Sequence, residues 1–234
     1  MRFQDAAKDA RAVVYAGVQA DPLVGRVAAA LCDAPPSVRL MARAVMNGES
    51  DDESTWRTIF PTLLGASADP AVRASAEAVL PAALEIAAKG ASVRDQYRGA
   101  VVEELTARLL ARRSAAVRRE RRVLFDGVPA EIHPYDVTVE ESGRPEVYDC
   151  KWGARGIGDD VLHQLDDARR HAADDDVRLP VALVVFDTTR SCGVRLDRTY
   201  APRDGTAVVT LETVDGLAQG SPAPGAPSPP GPGA

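Results

Sequence analysis

Aromatic side chains are scarce in this chain of 234 residues: four Phe, two Trp and five Tyr make up 5% of it. A core with so few rings must lean on aliphatic side chains and alanine, and alanine-rich sequence favours helix. Cysteine is nearly absent too. Cys32, Cys150 and Cys192 are far apart and odd in number, with no CxxC and no Cys/His zinc spacing. That pattern offers neither a disulfide framework nor a structural zinc site and suits a reduced, cytoplasmic protein. No run approaches the roughly twenty apolar residues of a membrane span, so no membrane partner is expected. The opening "MRFQDAAKDA" lacks the apolar stretch of a secretory signal. A glycine-rich phosphate loop is also missing.

What is present suffices for one sizeable domain and a smaller one, with 45% hydrophobic residues. The net charge of −6 argues mildly against nucleic acid, but the charge is unevenly spread. Nine arginines fall between Arg94 and Arg122, opposed only by Asp95, Glu103, Glu104 and Glu120. Screening confines each charge to roughly 10 Å, so a local basic surface can hold phosphate on an acidic protein. A solvated helix face is the alternative.

Three regions follow. Residues 1–90 read as helices, a candidate specificity or protein-partner module. Asp21-Pro22 and Asp69-Pro70 fit an N-cap followed by a first-turn proline. Ser50 with Glu53 fits a capping box, and Pro61 and Pro81 should end or kink their helices. The recurring "ADPLV" and "ADPAVR" hint at paired helices, with shared capping chemistry as the simpler cause.

Residues 91–218 form an α/β (α+β) unit. A helix over 94–113 precedes β-type segments at 116–125, 130–139 and 146–152, with turns at Asp126-Gly127 and Ser142-Gly143. A helix over 159–173 leads into the apolar run "VALVVFD" at 181–187, suited to a sheet centre. "GVRLD" and "AVVTLE" fit one strand each, or a strand and a short helix. Residues 219–234, "QGSPAPGAPSPPGPGA", carry no charge and little that could build a core, and read as a disordered tail.

The chemistry concentrates in "HPYDVTV" and "YDCKW". Side chains two apart on a strand share a face, so Asp149 and Lys151 point one way and Tyr148, Cys150 and Trp152 the other. If the strands carrying Asp136 and Asp149 pair as a hairpin, the two carboxylates meet. They repel unless a cation is shared, and Mg²⁺ suits one or two carboxylates plus water. A lysine beside them can orient an attacking water and offset developing charge. An edge-strand ion pair is the plain alternative. Mid-strand Asp136, inside a good β run, is harder to explain structurally. Asp126 precedes Gly127 and reads as a turn residue. His133, His163 and His171 have no metal spacing. Trp152 caps the core or stacks on DNA, and the glycines at 153, 156 and 158 read as a backbone turn.

These motifs resemble the PD-(D/E)xK nucleases, the restriction-endonuclease-like superfamily, in its Mrr-like branch. "PYD" (134–136) is similar to the first acidic motif and "DCK" (149–151) to the (D/E)xK motif. "RGAVVEELTARLL" (98–110) is similar to the G-x-x-x-E helix, and "VLHQLDDARRH" (161–171) to the glutamine-bearing helix. The likeness covers about residues 93–190. It implies a restriction-endonuclease-like core and a Mg²⁺- or Mn²⁺-dependent DNA endonuclease, with a role in restriction or defence by analogy. Asp136 and Asp149 would be metal ligands, with the Cys150 carbonyl adding an oxygen. Lys151 would be the catalytic lysine, Glu103 would help hold the metal or its water, and Gln164 would position substrate. Motif spacing selects Glu103, whereas helix phase favours Glu104. Arg112, Arg113, Arg118, Arg119 and Arg121 would contact the DNA backbone, and cutting both strands would suit a homodimer. A nuclease-fold binding protein without turnover and a helical interaction scaffold are the competing readings.

Overall fold

The computed structural model describes residues 1–6, 10–48, 50–129, 133–199 and 206–220. The tail expected over 219–234 therefore lies, beyond Gly220, outside the described residues.

The protein is a mixed α/β fold. Its helices are α1 (Ala10–Gln19), α2 (Pro22–Cys32), α3 (Pro36–Asn47), α4 (Glu53–Ile59), α5 (Pro61–Leu64), α6 (Pro70–Ala87), α7 (Ala91–Ala111), α8 (Asp159–Asp174) and α9 (Thr189–Thr199). Its strands are β1 (Arg2–Asp5), β2 (Val117–Phe125), β3 (Val128–Pro129), β4 (Tyr135–Glu141), β5 (Arg144–Lys151), β6 (Val181–Val185) and β7 (Thr206–Thr210). One open sheet runs β1-β2-β4-β5-β6-β7, with β3 paired to β2. β1 through β5 pair antiparallel; β6 and β7 add in parallel. Their crossovers through α8 and α9 are what parallel neighbours require.

Local chemistry explains most boundaries. Asp21 accepts the Leu23 amide at 2.8 Å, and Asp69 accepts those of Ala71 and Val72 at 2.9 and 3.0 Å, so both Asp-Pro starts cap helices. Capping is what the two "ADP" copies share. At α4 the cap is Asp52, which takes the Ser54 and Thr55 amides, and not the expected Ser50. Pro61 opens α5, whereas α6 runs through Pro81. That ring is on an exposed face, where water can serve the freed carbonyl one turn earlier. "GVRLD" lies inside α9, not in a strand. The turns at Asp126-Gly127 and Gly143 use positive φ of 50°, 84° and 77°.

The N-terminal region departs from the all-helical expectation. Arg2–Asp5 is an edge strand paired with β2. The helical layer and the sheet also share one hydrophobic core, from Leu23 and Met41 through Ile86 and Leu105 to Tyr148, Val184 and Leu217. α7 and the N-terminal helices cover this sheet face. α8 and α9 cover the other, around Tyr135, Leu165, Leu183 and Val185. Arg39 pins the layers together. Fully buried, it donates to the carbonyls of Leu31, Cys32 and Leu211 and pairs with Asp215.

Candidate active site

The site forms where β4 parts from its neighbours. The β4–β5 ladder ends at Val137↔Tyr148. On the other side, Arg119↔Val137 and Arg121↔Tyr135 bracket Asp136, and Glu120 opposite it adopts φ 52°. Asp136 therefore makes no ladder pair. Its carboxylate instead takes the Cys150 amide at 2.6 Å. The Lys151 carbonyl bonds the Phe186 amide on the β6 side, so alternation turns the Cys150 carbonyl toward Asp136.

Asp149 and Lys151 share a face, as i and i+2 must, and form an ion pair. Asp149 is buried and Lys151 half-buried. Gly156 leaves room for the lysine stem: a Cβ there would lie 3.0–3.1 Å from Lys151 Cβ, Cγ and Cδ. The turn after β5 is held by buried Asp187, which accepts the Ala154 amide at 3.0 Å and pairs with Arg43 at 2.6 Å. The three glycines thus belong to an ordered turn containing a 3₁₀ helix over 154–156.

From α7, Glu103 lies near enough for its charge to act on Asp136. Buried Tyr97, Val101, Val102, Leu105 and Leu109 mark the helix face turned to the core. Glu103 stands off that stripe yet is only 4% exposed, because α1 covers it. Tyr15 Oη donates to its Oε1 at 2.5 Å and Gln19 Nε2 to its Oε2 at 2.7 Å. Glu104, favoured by helix phase, pairs instead with Arg108 and Arg119. Helix phase allows the helix one covered face; the fold gives it a second, at Glu103.

The electrostatics show an excess of negative charge. Burial, then the neighbouring Asp149 and Glu103 carboxylates, push Asp136 well above the usual carboxylate range; Lys151 and the Cys150 amide offset this only in part. Burial also raises Glu103, against the Tyr15 and Gln19 hydrogen bonds. Lys151 is opposed by burial, but Asp149 and Asp136 hold its ammonium above the ordinary lysine value. The Cys150 thiol is pushed up by burial first and then by Asp136. It packs on the α7 side, 3.5 Å from Thr106 Oγ1.

Among the described residues, no three His, Cys, Asp or Glu side chains stand together as a ready metal cage. The Glu103 charge acts on Asp136, but α1 engages both its oxygens. Asp136, Asp149 and the Cys150 carbonyl are hard oxygen donors, and Mg²⁺ commonly takes only one or two carboxylates and fills the rest with water. The unbalanced charge at Asp136 is what such a cation would relieve.

Of the other residues weighed from the sequence, Gln164 alone is expected at the site. Gln164 donates to the His133 carbonyl at 3.1 Å, and its own carbonyl lies 3.3 Å from Tyr135 Oη, so it braces the start of β4. Asp126 is an exposed turn residue. His171 packs on Phe125 and contacts the Asp167 carbonyl. Trp152 packs on Phe186, is flanked by Arg98, and donates to Asn47 at 2.7 Å.

The arginine face is largely neutralised. Arg112 pairs with Asp33, Arg119 with Glu104, and Arg121 with Asp5 and Glu140. Arg113, expected on the DNA backbone, instead lies beneath the sheet, bound to buried Glu146, the Tyr148 hydroxyl and the Leu217 carbonyl. Its guanidinium is engaged there as a structural clamp. Arg118, exposed, donates to the Ala115 and Val117 carbonyls.

Sequence reasoning missed Tyr15, Gln19 and Glu120. Gln19 also donates to Glu120 Oε1 at 3.1 Å, extending the polar cluster. Tyr15 and Gln19, four apart on α1, are the polar exceptions in "AVVYAGVQ", but nothing local links them to a glutamate 84 or 88 residues away. Comparison of the chain with family models, with curated proteins and with solved structures returns no match.

Proposed function

We propose that this protein is a divalent-metal-dependent nuclease that hydrolyses DNA phosphodiesters in a cytoplasmic setting. One observation carries the reading: Asp136 leaves its ladder to sit on the Cys150 amide, under the charges of Asp149, Lys151 and Glu103. A structural role does not account for Asp136, a buried carboxylate set beside the Asp149–Lys151 ion pair, since uncompensated buried charge is costly. The motif resemblance supports the same assignment, as does the order of elements around it. Three cysteines, all free and buried, agree with a reducing compartment. Among the described residues, no helix is long and apolar enough to cross a membrane.

Asp136, Asp149 and the Cys150 carbonyl would hold Mg²⁺ or Mn²⁺. Bound there, the ion would polarise a phosphate oxygen and acidify a water. Lys151, fixed by Asp149 and by the Gly156 turn, orients the attacking water and offsets charge developing on the phosphate. Glu103, turned inward by α1, offers a further acceptor to that water.

The test is incubation of supercoiled plasmid and single-stranded DNA with Mg²⁺, Mn²⁺ or EDTA. The parent should cut only with metal. Asp149→Ala should abolish cutting, and Lys151→Ala should slow it by about 10²–10³-fold, the usual cost of one transition-state donor. Equal cutting by all three proteins, or none by the parent, would remove the proposal. A second reading, a nuclease-fold DNA-binding protein without turnover, is favoured by the lack of a ready three-carboxylate cage among the described residues. It predicts retention of DNA with no cutting under any metal.

A further inference from the structure

We propose that α1 completes the catalytic pocket, with Tyr15 and Gln19 as positioning residues that orient Glu103 for the metal and its water. Gly99 is then required to admit the tyrosine hydroxyl. The inference rests on the nuclease reading and changes what the N-terminal helices are for: the first of them is part of the active site.

The geometry is specific. Tyr15 and Gln19 are four apart on α1 and so share a face. Each takes a different oxygen of Glu103, at 2.5 and 2.7 Å. A carboxylate accepts about four hydrogen bonds, so two donors fix its plane and leave other lone pairs for the pocket. Gly99 and Glu103 are likewise four apart on α7. A Cβ on Gly99 would stand 2.9 Å from Tyr15 Oη, closer than real Cβ contacts come. The G-x-x-x-E spacing thereby acquires a physical reason: the glycine opens the channel through which Tyr15 reaches the glutamate.

Glycine also weakens a helix interior relative to alanine. Gly99→Ala should therefore leave α7 at least as stable by propensity while displacing the Tyr15 hydroxyl. That separates loss of positioning from loss of fold. Tyr15→Phe removes the same hydrogen bond from the other side, and phenylalanine has no Oη for the new methyl to meet.

The experiment is a double-mutant cycle on the full chain: parent, Tyr15→Phe, Gly99→Ala and the double variant. Mn²⁺ binding is measured by calorimetry without DNA, and half-saturating Mn²⁺ and kcat are measured on plasmid. Each single variant should weaken Mn²⁺ binding by about tenfold to a hundredfold, the range for a hydrogen bond to a charged group. Each should retain a cooperative melt. The double variant should match Tyr15→Phe, because the two changes disrupt one contact. Parent-like Mn²⁺ binding in both singles, or losses that multiply in the double, would overturn the proposal even if the parent cuts DNA. A parent that neither binds Mn²⁺ nor cuts would overturn this proposal and the nuclease reading together.

Discussion

Asp136 has several neighbours and too little positive charge. Its proton is held more tightly in the folded protein than in the unfolded chain, because burial, Asp149 and Glu103 all disfavour the carboxylate. A raised carboxyl stabilises the fold below its ordinary value, and that contribution is lost as pH climbs through the raised one. The metal-free protein should thus lose stability with rising pH across that window. Asp136→Asn keeps an oxygen for the Cys150 amide and removes the charge. In EDTA its Tm should exceed the parent's at neutral and alkaline pH, by about 2–4 °C for each kcal/mol relieved. The gap should close as pH falls toward the ordinary carboxylate value. A calorimetric pH series checks this, and a parent-like Tm throughout would mean the carboxylate carries no such strain. The same substitution should abolish cutting. Asp149 and Lys151 were legible as a pair in "DCK" because strand alternation is a local rule. The Glu103 assignment rested on motif spacing, since its partners lie on a helix distant in sequence.

Elements here are joined by arginines in two ways. On the outer face, Arg119 and Arg121 on β2 pair with Glu104 of α7, Glu140 of β4 and Asp5 of β1. Such partly exposed pairs contribute little each, but they consume charge that the nuclease resemblance assigns to phosphate. Five free arginines on DNA would give a log–log salt slope of about −4.5; this paired face should give a shallower one. Inside, Arg39 ties α3 to the end of α2 through the Leu31 and Cys32 carbonyls, and to the loop and the 3₁₀ turn (Val214–Ala218) that follow β7 through the Leu211 carbonyl and Asp215. Arg39→Ala takes the guanidinium from those carbonyls and empties a large buried site, and should cost about 2–5 kcal/mol, the range for truncating a large core side chain to alanine. Asp215→Ala should cost less, because Asp215 is about half exposed and the carbonyls remain to the guanidinium. Urea unfolding of both variants measures the order; equal costs would show that the ion pair, and not the carbonyl set, holds the layers.

The whole molecule folds around two sheet faces, and the larger core runs without a break from the N-terminal helices into the sheet. The break between α6 and α7, near residue 90, is a change of element and not a gap in packing. A fragment of residues 91–218 would lack β1, expose the face that α2, α3 and α6 cover, and lose the α1 wall of the pocket. It should show no cooperative melt, whereas the full chain should unfold in one transition. Calorimetry on both checks this, and a sharp transition in the fragment would show that the α/β part is a domain in its own right.

The linear chain already determined what depends on near neighbours. Aspartate before proline caps a helix, alternation aligns Asp149 with Lys151, Asp-Gly turns the chain, and an unbroken apolar run becomes the buried strand β6. Those rules act over a few residues, where covalent geometry leaves few options. The tertiary fold decided which charges are spent and which are left active. It set β1 on the sheet edge, turned Arg113 inward, split β4 from both neighbours at Asp136, and laid Tyr15 through the space at Gly99 onto Glu103. Each of these joins residues dozens of positions apart, and only packing in three dimensions, with its cost for every unpaired buried charge, selects among them.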